Sequence, residues 1–305
     1  MEFIRPGTHV DFIGKRTYAL CLSCLVITAA IISLFIHGGP RYGIDFAGGV
    51  LVQVKFAQET NAHQIKEALR SINLHQSMVQ QFEEKGKHEF LIQVQETDID
   101  LQNLDRQITD ALTQGFGKDT FEVWRVEMVG PKVGKDLRKK GLLSVVYAVI
   151  FMLIYITWRF EFRFGVGAVI AVIHDVLITV GAFSLTNREI TLPIVAAFLT
   201  IVGYSINDTI VVYDRIRENR RKKPNDPLAA TINLSINETL SRTILTSATT
   251  LLVVVALFIF GGGVIHDFAF ALLVGIIVGT YSSVFIASPI LLLWETVLHK
   301  RRKRS

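Results

Sequence analysis

One carboxylate, Asp208, stands inside an otherwise apolar stretch, in Gly203-Tyr204-Ser205-Ile206-Asn207-Asp208-Thr209 followed by Ile210 to Tyr213. It precedes the polar boundary at Asp214 by six residues, roughly 9 Å of helix rise. A charge held at that depth is unfavourable unless it is neutralised by a proton or a partner. Ser205 and Asn207 can supply hydrogen bonds, and Gly203 permits close helix approach. A cation is at hand in Arg242, which opens the next apolar stretch in Leu240-Ser241-Arg242-Thr243-Ile244-Leu245. Consecutive antiparallel spans bring both residues to the same membrane boundary, where an ion pair can form. Burial opposes the charge on Asp208 and the guanidinium favours it, so protonation becomes switchable. An acid that alternates between a proton and an arginine is a coupling device, and a proton crossing the field gains about 2.3 kcal/mol per 100 mV. The competing reading is an interhelical polar clamp. His174-Asp175 forms a second polar pair midway along another apolar stretch, where Asp175 either extends a proton path or clamps a helix.

These residues need membrane helices to position them. Half of the 305 residues are hydrophobic, and the apolar residues fall in blocks long enough to cross a bilayer core of roughly 30 Å. The blocks are Thr17–Ile36, Gly141–Trp158, Gly165–Leu185, Leu192–Tyr213, Thr243–Phe260 and Phe268–Trp294. The first is too long for a signal peptide and no A-x-A site follows, so it reads as an uncleaved anchor. Lysine and arginine distribution sets the orientation. Lys15, Arg16, Arg159, Arg163, the basic loop 214–242 and the tail 296–305 share one side, while the opposite short links hold only Arg188. Both termini are therefore expected in the cytoplasm. The basic loop and tail need no nucleic acid as partner, since membrane topology and attraction to anionic lipids account for them, with a ribosome or translocon contact as the competing reading. Lys132, Lys135, Arg138, Lys139 and Lys140 fall on the other side, and read as an amphipathic helix lying at the outer interface.

Residues 38–140 turn polar and alternating, as an inserted extracytoplasmic domain. Strand patterns cover Val50–Phe56, Ser77–Phe82, Glu89–Val94 and Thr120–Val129, the second and third forming a hairpin around Lys85-Gly86-Lys87. Helical patterns start at the cap Asn61 and at Asp98, running to about Ser71 and Thr113. The order βαββαβ is ferredoxin-like. The fold class expected is thus a six-span α-helical membrane protein carrying an α+β insertion.

Two glycine motifs flank that domain, Gly43-Ile44-Asp45-Phe46-Ala47-Gly48-Gly49 and Gly130-Pro131-Lys132-Val133-Gly134. Each is either a turn requiring positive φ or a hinge. Gly275, Gly279, Ser282, Ser283, Ala287 and Ser288 form a small-residue packing face. Cys21 and Cys24 read as small apolar helix residues rather than a redox pair. With no H-E-x-x-H, no G-x-S-x-G and no phosphate loop, neither enzymatic activity nor a bound cofactor or metal is expected.

The motifs GIDFAGG at 43–49, VGPKVGKDLRKKG at 129–141, GYSINDTIVVYDRIREN at 203–219 and SRTILTSATT at 241–250 resemble the SecD/SecF family of protein-export membrane proteins, over almost the whole chain. The resemblance implies a bacterial inner-membrane subunit that, with a SecD partner, uses the proton-motive force in late translocation of secreted polypeptides. It implies the SecYEG translocon, the accessory subunits YajC and YidC, an unfolded polypeptide and membrane lipids as partners. It places the proton relay on Asp208 and Arg242, with Asp45, Gly48 and Gly49 as secondary candidates. The family is also similar to one half of the resistance–nodulation–division transporters.

Overall fold

The computed structural model describes residues 9–72, 74, 77–81, 88–95 and 103–302, the side chains of 264 and 296–302 excepted. The expected turn at Lys85–Lys87, Phe82, the start of the helix at Asp98 and the side chains of the basic tail lie outside these residues. The chain divides into two compact units, one comprising 42–142 with 189–192 and the other the remaining residues.

The first unit is built on a four-stranded sheet. Strands β1 (Gly49–Phe56), β2 (Met78–Gln81), β3 (Glu89–Val94) and β4 (Phe121–Val129) take the order β2-β3-β1-β4. Every pairing is antiparallel. With helices between β1 and β2 and between β3 and β4, this is the expected ferredoxin-like arrangement. Alternation along β1 sends Val50, Val52, Val54 and Phe56 into the core. There they meet Ile65 and Leu69 of α3 (Ala62–Arg70) and Leu104, Ile108 and Leu112 of α4 (Leu104–Phe116), while a short helix α2 (Ile44–Ala47) precedes β1. Asn61 caps the first of these helices as expected. Its side chain accepts the Gln64 amide at 2.9 Å while Gln64 accepts the Asn61 amide at 3.2 Å, a reciprocal capping box.

The two glycine motifs are close-packing devices here. Gly48 and Gly49 take φ of +83° and +129°, and a Cβ on Gly49 would collide with the Val94 carbonyl oxygen. A Cβ on Gly134 would come within 3.0 Å of the Gly48 nitrogen and 3.1 Å of the Phe46 oxygen, so the motifs pack on each other. Gly49→Ala is expected to destabilise this unit by about 2–3 kcal/mol, through strained φ and the displaced β1–β3 pairing. Limited proteolysis of the variant would check it, with cleavage inside 42–142 appearing at protease levels the wild type resists.

The second unit consists of long apolar helices. They are α1 (Arg16–Ile36), α5 (Pro131–Arg159, from Leu143 on), α6 (Phe162–Leu185), α7 (Leu192–Lys222, from Pro193 on), α8 (Leu228–Phe260) and α9 (Gly263–Ser282), the last running on through a π turn (Ser283–Ala287) into α10 (Ser288–Arg302). Six spans are long and apolar enough to cross a membrane. The π turn falls just before Pro289, which has no N–H to return to the preceding turn, and the Ser288 hydroxyl bonds the Ser283 carbonyl at 2.9 Å. The small-residue face packs as expected. A Cβ on Gly275 would collide with Ile201, and one on Gly279 would come within 3.1 Å of Ser205. Gly181 likewise allows Ala30 of α1 to approach, beside a Ser33–Ser184 hydrogen bond of 2.8 Å. Cys21 and Cys24 are free and exposed along α1.

Two expectations are corrected. Residues 132–140 are not a separate interfacial helix but the opening turns of α5, which starts at Pro131 and continues unbroken into the second span. Proline suits a first helical position, and nothing between Lys132 and Leu142 breaks the helix. The segment 214–242 is not a loop either. Helix α7 runs to Lys222 and α8 starts at Leu228, leaving only 223–227 between them. Polar contacts within α7 and between α7 and α8 extend both helices. Arg215 pairs with Glu218 at 2.6 Å and with Glu238 at 2.7 Å, Lys222 with Glu218 at 2.6 Å, and Asn219 donates to Ser235 at 3.1 Å.

The segment before α1 is fastened to this helical hairpin. Asn237 Oδ1 accepts the Val10 amide at 2.8 Å, Asn233 Oδ1 accepts the Phe12 amide at 2.8 Å, and both asparagine NH2 groups donate to the Val10 carbonyl, at 3.1 and 2.9 Å. The side chains sit one turn apart on α8 and hold the tight turn in which the Phe12 amide also meets the Val10 carbonyl at 3.2 Å. In Asn233→Ala/Asn237→Ala, amide exchange at Val10 and Phe12 should accelerate by about tenfold or more, at about 1 kcal/mol per lost hydrogen bond. Unchanged exchange would show that packing of Phe12 and Ile13 suffices.

Candidate functional site

The intramembrane polar residues sort into two centres. The first is Asp208, 2% exposed, on α7. Its Oδ2 accepts the Ser247 hydroxyl of α8 at 3.3 Å, and Ser247 shares a 2.7 Å hydrogen bond with Thr280 of α9. The other carboxylate oxygen makes no hydrogen bond to another described residue. No ion pair within 4.0 Å joins Arg242 to this carboxylate, and the arginine is exposed. The anticipated contact pair is therefore apart in this structure. Arg242 lies five residues before Ser247, more than a helical turn from the carboxylate's hydroxyl partner.

The supporting roles expected around Asp208 also change. Ser205 does not serve Asp208 but donates to Asp175 at 2.6 Å. Asn207 is exposed and makes no hydrogen bond to a described residue, and Gly203 faces space in which a Cβ would meet nothing within 4 Å. Helical geometry explains both. Each step along α7 turns a side chain by about 100°, so neighbours in sequence point to different helices. Ser247 and Thr280 take the place of Ser205 and Asn207.

The second centre is Asp175 on α6, fully buried. One carboxylate oxygen accepts both the Ser205 hydroxyl at 2.6 Å and the Ser282 hydroxyl at 2.8 Å. The other meets His174 Nδ1 at 2.9 Å, and His174 Nε2 lies 3.1 Å from the Ser23 hydroxyl of α1. Ser23 donates to Tyr281 at 3.2 Å, and Tyr281 donates to the Ala19 carbonyl at 2.7 Å. This network therefore ties α1, α6, α7 and α9 together. A neighbouring set, Thr209 with Ser283 at 2.9 Å and the Tyr213 hydroxyl on the Ala287 carbonyl at 3.0 Å, continues it along α7.

Asp45 belongs to the sheet-containing unit. Its Oδ2 accepts the Leu192 amide at 2.8 Å, so it caps the start of α7. The Gly43 amide bonds the Ile190 carbonyl at 3.0 Å alongside it. Gly48 and Gly49, as described, fix the turn that follows. These three residues position backbone within their own unit. Among the described residues no cluster of three or more His, Cys, Asp or Glu side chains is placed to hold a metal ion.

Ser247, Thr280 and Tyr281 escape the sequence reading as polar partners, and Ser282 figures in it only as a packing residue. Hydroxyls are ordinary in apolar helices, where they bond the backbone one turn back, as Thr280 also does to Ile276 at 2.8 Å. Only knowledge of which helix faces which would have marked them.

Helices of this length and apolarity, enclosing two buried acids and carrying a βαββαβ insertion, define a multi-pass membrane protein. Comparison with known families gives two matches. "Protein export membrane protein SecD/SecF, C-terminal" covers residues 108–297, and "SecD/SecF GG Motif" covers 32–60. The chain belongs to the SecD/SecF family of protein-export membrane proteins. It is 48% identical to a protein translocase subunit SecF of Magnetococcus marinus, over 97% of this chain and 95% of that one. Identity to the corresponding subunit of Desulfurispirillum indicum is 46%, over 94% and 92%. Among solved structures, SecDF of Thermus thermophilus, described as translocon-associated, superposes with a TM-score of 0.84 at 37% identity. That match covers 95% of this chain but 39% of SecDF, so this chain spans about two-fifths of that protein.

Proposed function

We propose that this chain is one half of a proton-driven export device. It would work with a SecD-type partner at the SecYEG translocon to assist late translocation of unfolded polypeptides. The observation that carries the reading is Asp208, a carboxylate buried among apolar helices with a single hydroxyl partner, Ser247, on the helix that carries Arg242. A purely structural clamp would satisfy both oxygens, as Asp175 is satisfied. Asp208 instead keeps acceptor capacity in reserve for a proton or for Arg242. Deprotonation draws Arg242 inward and protonation releases it, so the two states differ in how α7 and α8 are held. That difference in proton affinity between states is the energetic content a cycle requires.

A partner is supported by surface as well as by family. Gly203 and Asn207, one turn apart on α7, and the apolar side chains Leu252, Val253, Ile259 and Phe260 of α8 are exposed in the single chain. The SecD-type half would cover the α7 face and complete the proton path. Both termini lie in the cytoplasm and the α+β domain outside the inner membrane, in keeping with the distribution of lysine and arginine. The chain is not an enzyme and needs no cofactor, the proton gradient being its energy source. YajC and YidC join as accessory subunits.

The test is pulse-chase maturation of a secreted precursor in cells depleted of their own subunit and supplied with this chain and its cognate SecD-type partner. Restored maturation that collapses to the depleted rate when a protonophore is added supports the reading. Restoration indifferent to the protonophore removes proton coupling, and absence of restoration with both chains present in the membrane removes the export role.

A further inference from the structure

A cavity of about 200 Å³ opens where the first turn of α6, the last turns of α7, the start of α8 and α10 meet. Its floor is apolar. Phe164, Ile216 and Leu291 belong to the helical core and are 4%, 2% and 2% exposed. Its rim is cationic, formed by Arg163, Arg217, Arg220 and Arg221 against two carboxylates, Glu161 and Glu295.

Those carboxylates face two of the four arginines and leave the other two unpaired among the described residues. Arg220 is engaged, donating to the Asp226 carbonyl at 2.6 Å and lying 3.9 Å from Glu295. Arg163 Nε is 2.8 Å from Glu161, at an angle that makes no hydrogen bond, and is otherwise without a hydrogen-bond partner. Arg217 and Arg221 form no ion pair with any described residue, and Arg217 lies only over the Phe160 ring, at 6.0 Å. Membrane topology explains arginines at this boundary but not their convergence on one concavity. Solvated topology charges spread apart, since like charges repel. Two of the contributing helices, α6 and α8, also present their first turns here, whose free N–H groups favour an anion.

We propose that this cavity binds the headgroup of an anionic phospholipid. The phosphate ester would sit among Arg163, Arg217 and Arg221, with the glycerol and the start of an acyl chain on the Phe164–Ile216–Leu291 floor. Guanidinium forks match phosphate oxygens, and the apolar floor suits a ligand that is charged at one end only. Free phosphate shares the head chemistry but would leave the floor unfilled. The site is independent of Asp208 and of the proton cycle.

The test uses the full chain in neutral detergent, with bound lipid counted by native mass spectrometry against equimolar phosphatidylglycerol and phosphatidylcholine. Wild type should retain one phosphatidylglycerol selectively. Arg217→Gln/Arg221→Gln should lower that occupancy about tenfold, as expected for two cations next to one phosphate. Lys222→Gln/Lys223→Gln removes the same charge from the same helix end outside the cavity, and should leave occupancy unchanged. Leu228→Trp fills the cavity without removing charge and should also expel the lipid. Equal losses in the two charge variants would reduce the effect to diffuse attraction and overturn the proposal. So would retention of lipid by Leu228→Trp, a readout that stands even where the arginine variant fails to fold. Displacement of the lipid by millimolar inorganic phosphate would reassign the site to a free anion.

Discussion

Asp208→Asn is expected to abolish export rescue while leaving the protein folded and at normal abundance in the membrane. Asparagine keeps the size of the side chain, and its carbonyl oxygen still accepts the Ser247 hydroxyl, the one hydrogen bond Asp208 makes to another described residue. Its stability should stay within about 1 kcal/mol of wild type, the net worth of a typical hydrogen bond. What disappears is the ability to carry a proton or to attract Arg242. Precursor maturation should therefore fall to the rate of depleted cells, and Asp208→Glu, which restores a titratable group one methylene further out, should recover part of it. Full activity in Asp208→Asn would leave Asp208 as a packing residue and strip the cycle of its proton carrier.

Asp175 should behave in the opposite way. It accepts hydrogen bonds from Ser205 and Ser282 and contacts His174, so Asp175→Ala leaves three buried polar groups without their partner. A destabilisation of about 2–4 kcal/mol is expected, since intramembrane hydrogen bonds each contribute modestly and orphaned partners add to the loss. Thermal unfolding of the purified chain would measure it, alongside loss from the membrane in cells. Asp175→Asn keeps an acceptor and should lie between wild type and alanine. If Asp175→Ala proved as stable as wild type yet inactive, the histidine–aspartate pair would belong to the proton route instead of the scaffold.

Much of this architecture was legible beforehand, for reasons that differ by element. Strand β1 announced its buried face because Val50, Val52, Val54 and Phe56 recur at the period of a pleated strand, and Asn61 announced a helix start because its cap is local. Asp208 stood out because a lone carboxylate in an apolar span is rare. Its surroundings were not legible. Ser205 and Asn207 are near in sequence but turn away, and Ser247 and Thr280, from other helices, supply the contacts. The ends of α7 and α8 were missed for a related reason. Arg215 and Glu238 are 23 residues apart, and only their pairing makes helix of a stretch whose composition suggests a loop. At Gly48–Gly49 the positive φ fits the turn reading, while the close Val94 carbonyl is a neighbour that no local pattern identifies.

The π turn between α9 and α10 carries one surplus residue in an otherwise regular ladder, and it begins at Ser283, beside the serine that serves Asp175. Such a surplus behaves like a dislocation in a crystal. It can glide along the helix one hydrogen bond at a time, each step turning the residues it passes by about 100° while the ends keep their places. The last span can thus reorient part of its inward face without sliding through the bilayer, a cheaper motion for a membrane helix than piston or hinge.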